Sequence, residues 1–346
     1  MNLKDEKNID HAHIGSIVSD NFHCCNLIIS IEYHGDGTIG SNQHYIITTP
    51  ISKYFLKTIC NADALFQGGA SFRIKTVSEA INQLKNKGLN LERIIQNKDG
   101  EFITNIDGVI YRLYEFIKGR SFNNTESDIK QAVRSMSNFH EKAHKLLDKN
   151  IYFNLKKIRT PYPLDQSIKN IAEIKQSIDI LSSIPNVHKN TFKLLSNEFE
   201  FIEKGVSRVI NLTDKESDCH FIHLDFHPDN VIYDANGVAN IIDLDNAMLG
   251  NLNKCIAFSI LRFSLYNQPS NPYKNIINVS KIWIKNQEHE KSLQFGDLVN
   301  WMLYVELEKI LRIVGRYIET GKYSKFLINI NKTHFPNLKL LLNGER

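Results

Sequence analysis

The chain has 346 residues, 42% hydrophobic and 23% charged, with a net charge of +4. That length suits two lobes more than one core, and the composition is that of a soluble globular protein. So small a charge speaks against the concentrated basic face of nucleic-acid binding, and no apolar run approaches the roughly 18 residues of a membrane span. The first seven residues are polar and lack the apolar core of a signal peptide. Cys24, Cys25, Cys60, Cys219 and Cys255 match no zinc or redox spacing. They read as thiols of a reducing, cytoplasmic compartment.

In chain order, Ala12 to Phe22 predicts a helix and Leu27 to Tyr33 a strand. His34 to Asn42 is a glycine-rich turn, followed by strands over His44 to Thr49 and Tyr54 to Ile59. Gly35, Gly37 and Gly40 have the G-x-G-x-x-G spacing, and glycines let backbone N–H groups approach phosphate oxygens. A β-prone run follows them, so a dinucleotide fingerprint is excluded. Gly37, Gly40 and Ser41 are the candidate phosphate contacts; the alternative is an ordinary hairpin loop. Strand alternation sets Tyr54, Leu56 and Thr58 on one side and Lys57 on the other. A lysine there among apolar neighbours needs a counter-charge. Ser71 to Lys87 predicts a helix, and its Glu79 is the only acid between Asp63 and Glu92, hence the expected partner. The alternative is an edge-strand lysine and a solvated glutamate.

Leu89 to Thr104 reads as short strands around Asp99-Gly100, and Val109 to Ile117 as a strong strand ending at Lys118-Gly119. Beyond it the chain becomes mostly helical. Helices are expected over Asp128 to Leu147, Ile168 to Leu181, Thr191 to Val209 and Leu298 to Ile318. Trp301, Glu308 and Arg312 on the last read as core or solvated-face residues before cleft residues. His140 reads as a packing residue.

Residues 223 to 245 carry the chemistry. They run His-Leu-Asp-Phe-His-Pro-Asp-Asn, then two β-prone runs around Asp234-Ala-Asn-Gly237, then Ile-Ile-Asp-Leu-Asp. Asn-Gly predicts a tight hairpin, which sets Asn230 at its start and Asp243 at its end. Asp225 precedes it on the entering loop. An acceptor for a hydroxyl proton beside two hard-oxygen ligands for Mg²⁺ is what phosphoryl transfer requires. The alternative is a surface hairpin with solvated carboxylates. Asp245 is either a further group of the site or a capping acid.

His223-x-Asp225-x₄-Asn230 followed by Ile242-Asp243 resembles the catalytic and metal segments of the aminoglycoside phosphotransferase and choline kinase superfamily. The resemblance implies an α+β, bilobal, protein-kinase-like fold. Residues 1–117 would be an N-lobe of antiparallel sheet plus helix, and 118–346 a mostly helical C-lobe. It implies ATP and Mg²⁺ as cofactors and a small-molecule hydroxyl compound as substrate, without nucleic acid or membrane. Lys57, held by Glu79, would orient the phosphates, and backbone near Glu115, Phe116 and Ile117 would bind adenine. Asn230 and Asp243 would ligate Mg²⁺, Asp225 would be catalytic, and His223 would brace the loop.

Leu224 stands where most members have Gly, a departure expected to leave the chemistry untouched. Relatives often carry two further acids where this chain has Asn251 and Cys255. The stretches 35–39, 111–117 and 242–245 resemble N-acetylhexosamine 1-kinases, which points to a sugar or amino sugar. Residues 72–119 resemble the CotS and homoserine kinase type II branches, which keep amino-alcohol acceptors and a non-catalytic coat or scaffold role as alternatives. From Lys274 to Arg346 there are 12 Lys/Arg against 7 Asp/Glu. That balance disfavours a polycationic aminoglycoside and suits a neutral or anionic acceptor.

Overall fold

The computed structural model describes residues 11–36, 42–59, 70–158, 164–185, 188–212, 219–286, 294–321 and 324–344. The chain divides into two compact units. The first comprises Met1–Ser121, Lys142–Ile158 and Val231–Asp245; the second comprises Phe122–Glu141, Arg159–Asn230 and Asn246–Arg346. The division is therefore not a single cut after residue 117.

The first unit is built on an antiparallel sheet. Its strands are β1 (Ser30–Asp36), β2 (Gln43–Thr48), β3 (Lys53–Ile59), β4 (Ile94–Ile95), β5 (Thr104–Ile106) and β6 (Val109–Glu115). They are ordered β1-β2-β3-β6-β4, with β5 also on β6. Helix α1 (His11–Asn21) packs Ile14, Ile17 and Val18 against Tyr45, Ile47, Tyr54, Leu56, Tyr111 and Leu113. These sheet residues alternate along β2, β3 and β6, so the intervening residues lie on the opposite face. Lys57 and Arg112 are such residues, and β3–β6 register pairs them directly.

Helix α2 (Ala70–Asn86) packs Ile74 against Ile59 and Ile110. Its Asn82 is buried and fixes the short strand β4: its Nδ2 donates to Ile94 O at 2.9 Å, and Ile94 N donates to its Oδ1 at 3.1 Å.

Strands β7 (Cys219–Ile222) and β10 (Met248–Asn251) pair in the second unit, while β8 (Val231–Tyr233) and β9 (Ala239–Ile241) form the expected hairpin in the first. Its turn closes through Gly237 N to Asp234 O at 3.0 Å, with Gly237 at φ 77°. Asp234 Oδ1 also accepts from Asn236 N and Val238 N. Backbone bonds explain why a hairpin so late in the chain belongs to the first unit. Ile241 N donates to Asn90 O, Glu92 N donates to Ile241 O, and Arg120 and Tyr233 exchange two bonds at 2.9 Å. Gly119 permits that last approach, because a Cβ there would meet Tyr233 O at 2.5 Å.

The rest is helical: α3 (Glu126–Leu146), α4 (Lys149–Leu155), α5 (Leu164–Lys169), α6 (Ile171–Ser183), α7 (Lys189–Asn197), α8 (Phe199–Val209), α9 (Leu252–Ser264), α10 (Pro272–Asn286), α11 (Phe295–Thr320), α12 (Ser324–Asn329) and α13 (Phe335–Asn343). The run expected as one helix from Thr191 to Val209 breaks at Glu198. Helix α9 is buried along almost its whole length. A buried ion pair, Lys254 to Glu308 at 2.7 Å, ties it to α11. Trp301 is core, as its apolar neighbours suggest. No helix among the described residues is long and apolar enough to cross a membrane.

Asn82→Ala leaves a buried donor and a buried acceptor of Ile94 unpaired. We expect it to lower the unfolding free energy by about 2–4 kcal/mol, measured by urea denaturation.

Candidate functional site

The first unit holds a compact charge cluster. Lys57 Nζ donates to Asp243 Oδ1 at 2.6 Å and also pairs with Asp245. Arg112, fully buried, pairs with the other oxygen of Asp245. Burial pushes the Lys57 ammonium toward its neutral form, but Asp245 and Asp243 more than offset this and raise it above its ordinary value. Burial likewise opposes ionisation of Asp245, yet Lys57 and Arg112 hold it well below the usual carboxylate range. Lys57, Arg112 and Asp245 thus remain charged together.

Glu92 orders the backbone beneath this cluster. Its Oε2 accepts from Asp243 N and its Oε1 from Leu244 N, each at 3.1 Å. Asp243 has a left-handed backbone, φ 58°, which a non-glycine residue adopts only when its surroundings fix it. Glu92 supplies part of that constraint. Burial, with the fields of Asp245 and Asp243, pushes its carboxyl up to about 7 despite Arg112.

The expected Lys57–Glu79 pair is not formed. Among the described residues Lys57 pairs with Asp243 and Asp245, and Glu79 acts on Lys75 instead. Arg73 is the α2 residue within electrostatic reach of Asp245. Six residues separate it from Glu79, which turns the side chain by about 240° around the helix. Nor are Asp243 and Asp245 strand neighbours: β9 ends at Ile241 and a 3₁₀ turn spans Leu244–Asn246. That turn is what brings both carboxylates to one ammonium.

Glu115 N donates to Arg93 O and Phe116 N to Lys53 O. The N–H groups of Glu115 and Phe116, two of the residues whose backbone is expected at adenine, are thus committed within the unit. Gly37, Gly40 and Ser41 lie outside the described residues.

The second unit holds the loop from His223 to Asn230. Asp225 N donates to the buried His223 Nδ1 at 3.3 Å, so the imidazole braces the loop. Asn230 Nδ2 donates to Asp225 O at 2.9 Å, and the Asp225 carboxylate accepts from Asn246 Nδ2 at 3.3 Å. Leu224 has φ 61°, a left-handed conformation that glycine tolerates and leucine does not, so this departure carries backbone strain.

The positions without the relatives' acids have other work. Asn251 caps α9, accepting from Asn253 N at 2.9 Å and Lys254 N at 3.3 Å. Cys255 Sγ lies 3.6 Å from His140 Nε2 and meets backbone of His223 and Leu224. Burial pushes the Cys255 thiol up to about 11 and the His140 imidazole down to about 3, so both are neutral bracing groups.

No group of three or more His, Cys, Asp or Glu gathers as a metal cage among the described residues. Asn230 and Asp243 each carry a hard oxygen donor of the kind Mg²⁺ takes. With Nδ2 of Asn230 committed, its Oδ1 is the available ligand. With Oδ1 of Asp243 on Lys57, its Oδ2 is available on a side chain 39% exposed.

Glu92, Arg112, Asn246 and Lys309, a half-buried lysine of α11 within the field of Asp225, were not legible as site residues. Arg112 had one signal, a lone cation in an alternating apolar strand; Glu92 had none, since its partners lie 151 and 152 residues away.

A profile of the phosphotransferase enzyme family matches residues 40–252. A search of curated protein sequences finds no match. Among solved structures, the chain is similar to the spectinomycin phosphotransferase APH(9)-Ia in complex with ADP and spectinomycin. The TM-score is 0.67 at 14% identity, covering 97% of this chain and 94% of that one. It is similar to the amicoumacin kinase hAmiN with AMP-PNP and Ca²⁺, at TM-score 0.64 and 14% identity, covering 96% and 93%. The choline kinase LicA from Streptococcus pneumoniae gives 0.56 and 14%, covering 95% and 98%. At these identities the likeness is one of fold, the α+β kinase-like fold expected from the sequence.

Unfolded, Glu92 titrates near 4.5; folded, near 7. Below 4.5 both states are protonated. As pH rises through 7 the folded state must hold a buried carboxylate, so this contribution to stability is lost. We expect the ligand-free protein to lose up to roughly 3 kcal/mol across that window relative to Glu92→Gln, measured by urea unfolding at stepped pH.

Proposed function

Because the chain belongs to the phosphotransferase enzyme family, we propose that it transfers the γ-phosphoryl group of ATP, with Mg²⁺, to a hydroxyl of a small molecule of the sugar class. The observation that carries this reading is the loop in which Asn230 and Asn246 hold the backbone and carboxylate of Asp225. A free carboxylate fixed in that way orients an acceptor hydroxyl and takes its proton at Oδ as the new O–P bond forms.

Lys57 presents an ammonium whose position is set by Asp243 and Asp245, suited to the α- and β-phosphates. Asn230 Oδ1 and Asp243 Oδ2 would hold Mg²⁺, which when bound neutralises charge on the phosphates. Glu92 keeps Asp243 in the orientation that presents its oxygen. Ile117 is the backbone candidate for adenine, and Gly37, Gly40 and Ser41 for the phosphates. Glu79 has no part in holding Lys57. The sugar class is supported by the resemblance of residues 35–39, 111–117 and 242–245 to N-acetylhexosamine 1-kinases. Choline and spectinomycin are named with the similar structures; the basic C-terminal region of this chain argues against a polycationic acceptor, and an amino-alcohol acceptor of the choline type is the alternative.

Asp225→Asn is expected to reduce phosphorylation by about 10²–10⁴-fold while leaving Mg·ATP affinity nearly intact. A coupled ADP-release assay with a hydroxyl-compound panel, beside calorimetric titration of Mg·ATP, measures both. Full turnover by the variant would remove Asp225 from the role.

A further inference from the structure

Arg262 on α9 and Lys309 and Arg312 on α11 are half-buried, and among the described residues none of them forms an ion pair. Other cations of the second unit are treated differently. Lys254 is buried against Glu308 at 2.7 Å, and Lys339 pairs with Glu198.

Two of the cations share one aromatic ring. Arg262 Cζ lies 5.0 Å and Lys309 Nζ 5.5 Å from the centre of the Phe258 ring. Lys309 and Arg312 are three residues apart on one helix and so are surface neighbours. The cluster adjoins the catalytic loop. Burial, then Arg312 and Arg262, push the Lys309 ammonium down to about 8, while Asp225 and Glu308 pull it up. The charge of Arg262 also reaches His227 in that loop.

Arg312 lines a cavity of about 150 Å³ with Ser167, Asn170, Ser177, Glu173 and Glu319. Buried Glu306 and Glu308 lie within the fields of Arg262 and of Lys309 and Arg312, but none of the three cations is in a direct ion pair among the described residues, and cations that repel one another gain when an anion joins them. Glu173 and Glu319 of the cavity admit an additional amine on the same ligand, while the cation within the field of Asp225 is Lys309.

We infer that Arg262, Lys309 and Arg312 form a subsite for an anionic group, a carboxylate or a phosphate, on the acceptor, so that the molecule phosphorylated beside Asp225 is an acidic hydroxyl compound. The inference rests on the phosphotransferase reading of Asp225. Within the sugar class it selects sugar acids or sugar phosphates over amino sugars.

The test is calorimetric binding in the presence of Mg²⁺ and AMP-PNP, which reads the subsite without turnover. The probes are D-glucose, D-gluconate, D-glucose 6-phosphate, D-glucosamine, glycerol, D-glycerate and glycerol 3-phosphate. An acidic member is expected to bind at least about tenfold more tightly than its neutral parent. That advantage should vanish in Lys309→Met and in Arg312→Gln, while both variants keep wild-type affinity for Mg·AMP-PNP, which also reports their folding. The carboxylate and phosphate arms identify the anion. Neutral or amine members binding as well as acidic ones, no member binding, or variants that keep the ranking and lose the nucleotide would each overturn the subsite. Parallel turnover separates the two readings. Acidic probes that bind but are never phosphorylated refute the transferase reading and leave the subsite. Phosphorylation of neutral or amine probes alone does the reverse.

Discussion

Lys57 cannot sit charged and unpaired on the inner strand of the first unit's sheet, and its pairing with Asp243 and Asp245 organises that unit's polar cluster. Those carboxylates lie 186 and 188 residues along the chain. To reach the lysine, the β8–β9 hairpin must join the sheet-bearing unit, and residues 90–92 and 119–120 clamp it there through backbone bonds. Arg112, across the ladder from Lys57, neutralises the second carboxylate. Glu92 fixes the left-handed backbone of the first. Removing one member leaves the others as buried, uncompensated charges, which is far costlier than the loss of a surface ion pair.

The second unit solves a different problem, that of presenting a carboxylate without neutralising it. Asp225 accepts only an amide hydrogen bond from Asn246 among the described residues, and its backbone is held by His223 and Asn230. Bracing that relatives assign to acids falls here to neutral groups: Asn251 caps α9, and Cys255 meets His140 and the loop backbone. The loop also tolerates Leu224 in a left-handed conformation. A strained residue beside Asp225 persists only where its surroundings determine it, and the buried neighbours His223 and Phe226 provide such surroundings.

Much of this was legible in the sequence, for identifiable reasons. Asp225, Asn230 and Asp243 lie within twenty residues, so their spacing and the Asn-Gly turn carry the motif. Lys57 was visible because strand alternation places it on the face opposite Tyr54 and Leu56. Its partner was misjudged because Glu79 is the nearest acid in sequence, whereas the true partners arrive through a long-range backbone clamp that no local pattern records. Asp245 joins the cluster through a 3₁₀ turn at Leu244–Asn246, which the local sequence pattern does not signal. The charge count from Lys274 to Arg346 is a regional signal, and α11 places two of its cations, Lys309 and Arg312, beside Arg262 of α9.

The central claim is that the cluster of Lys57, Asp243 and Asp245 is the nucleotide-and-metal half of a phosphotransferase site. Calorimetric titration of AMP-PNP with and without Mg²⁺, on the wild type and on Asp243→Asn, tests it most directly. The account predicts that Mg²⁺ tightens nucleotide binding by at least about tenfold in the wild type and that the variant loses this gain. Equal affinity with and without Mg²⁺ in the wild type, or an undiminished gain in Asp243→Asn, would contradict it.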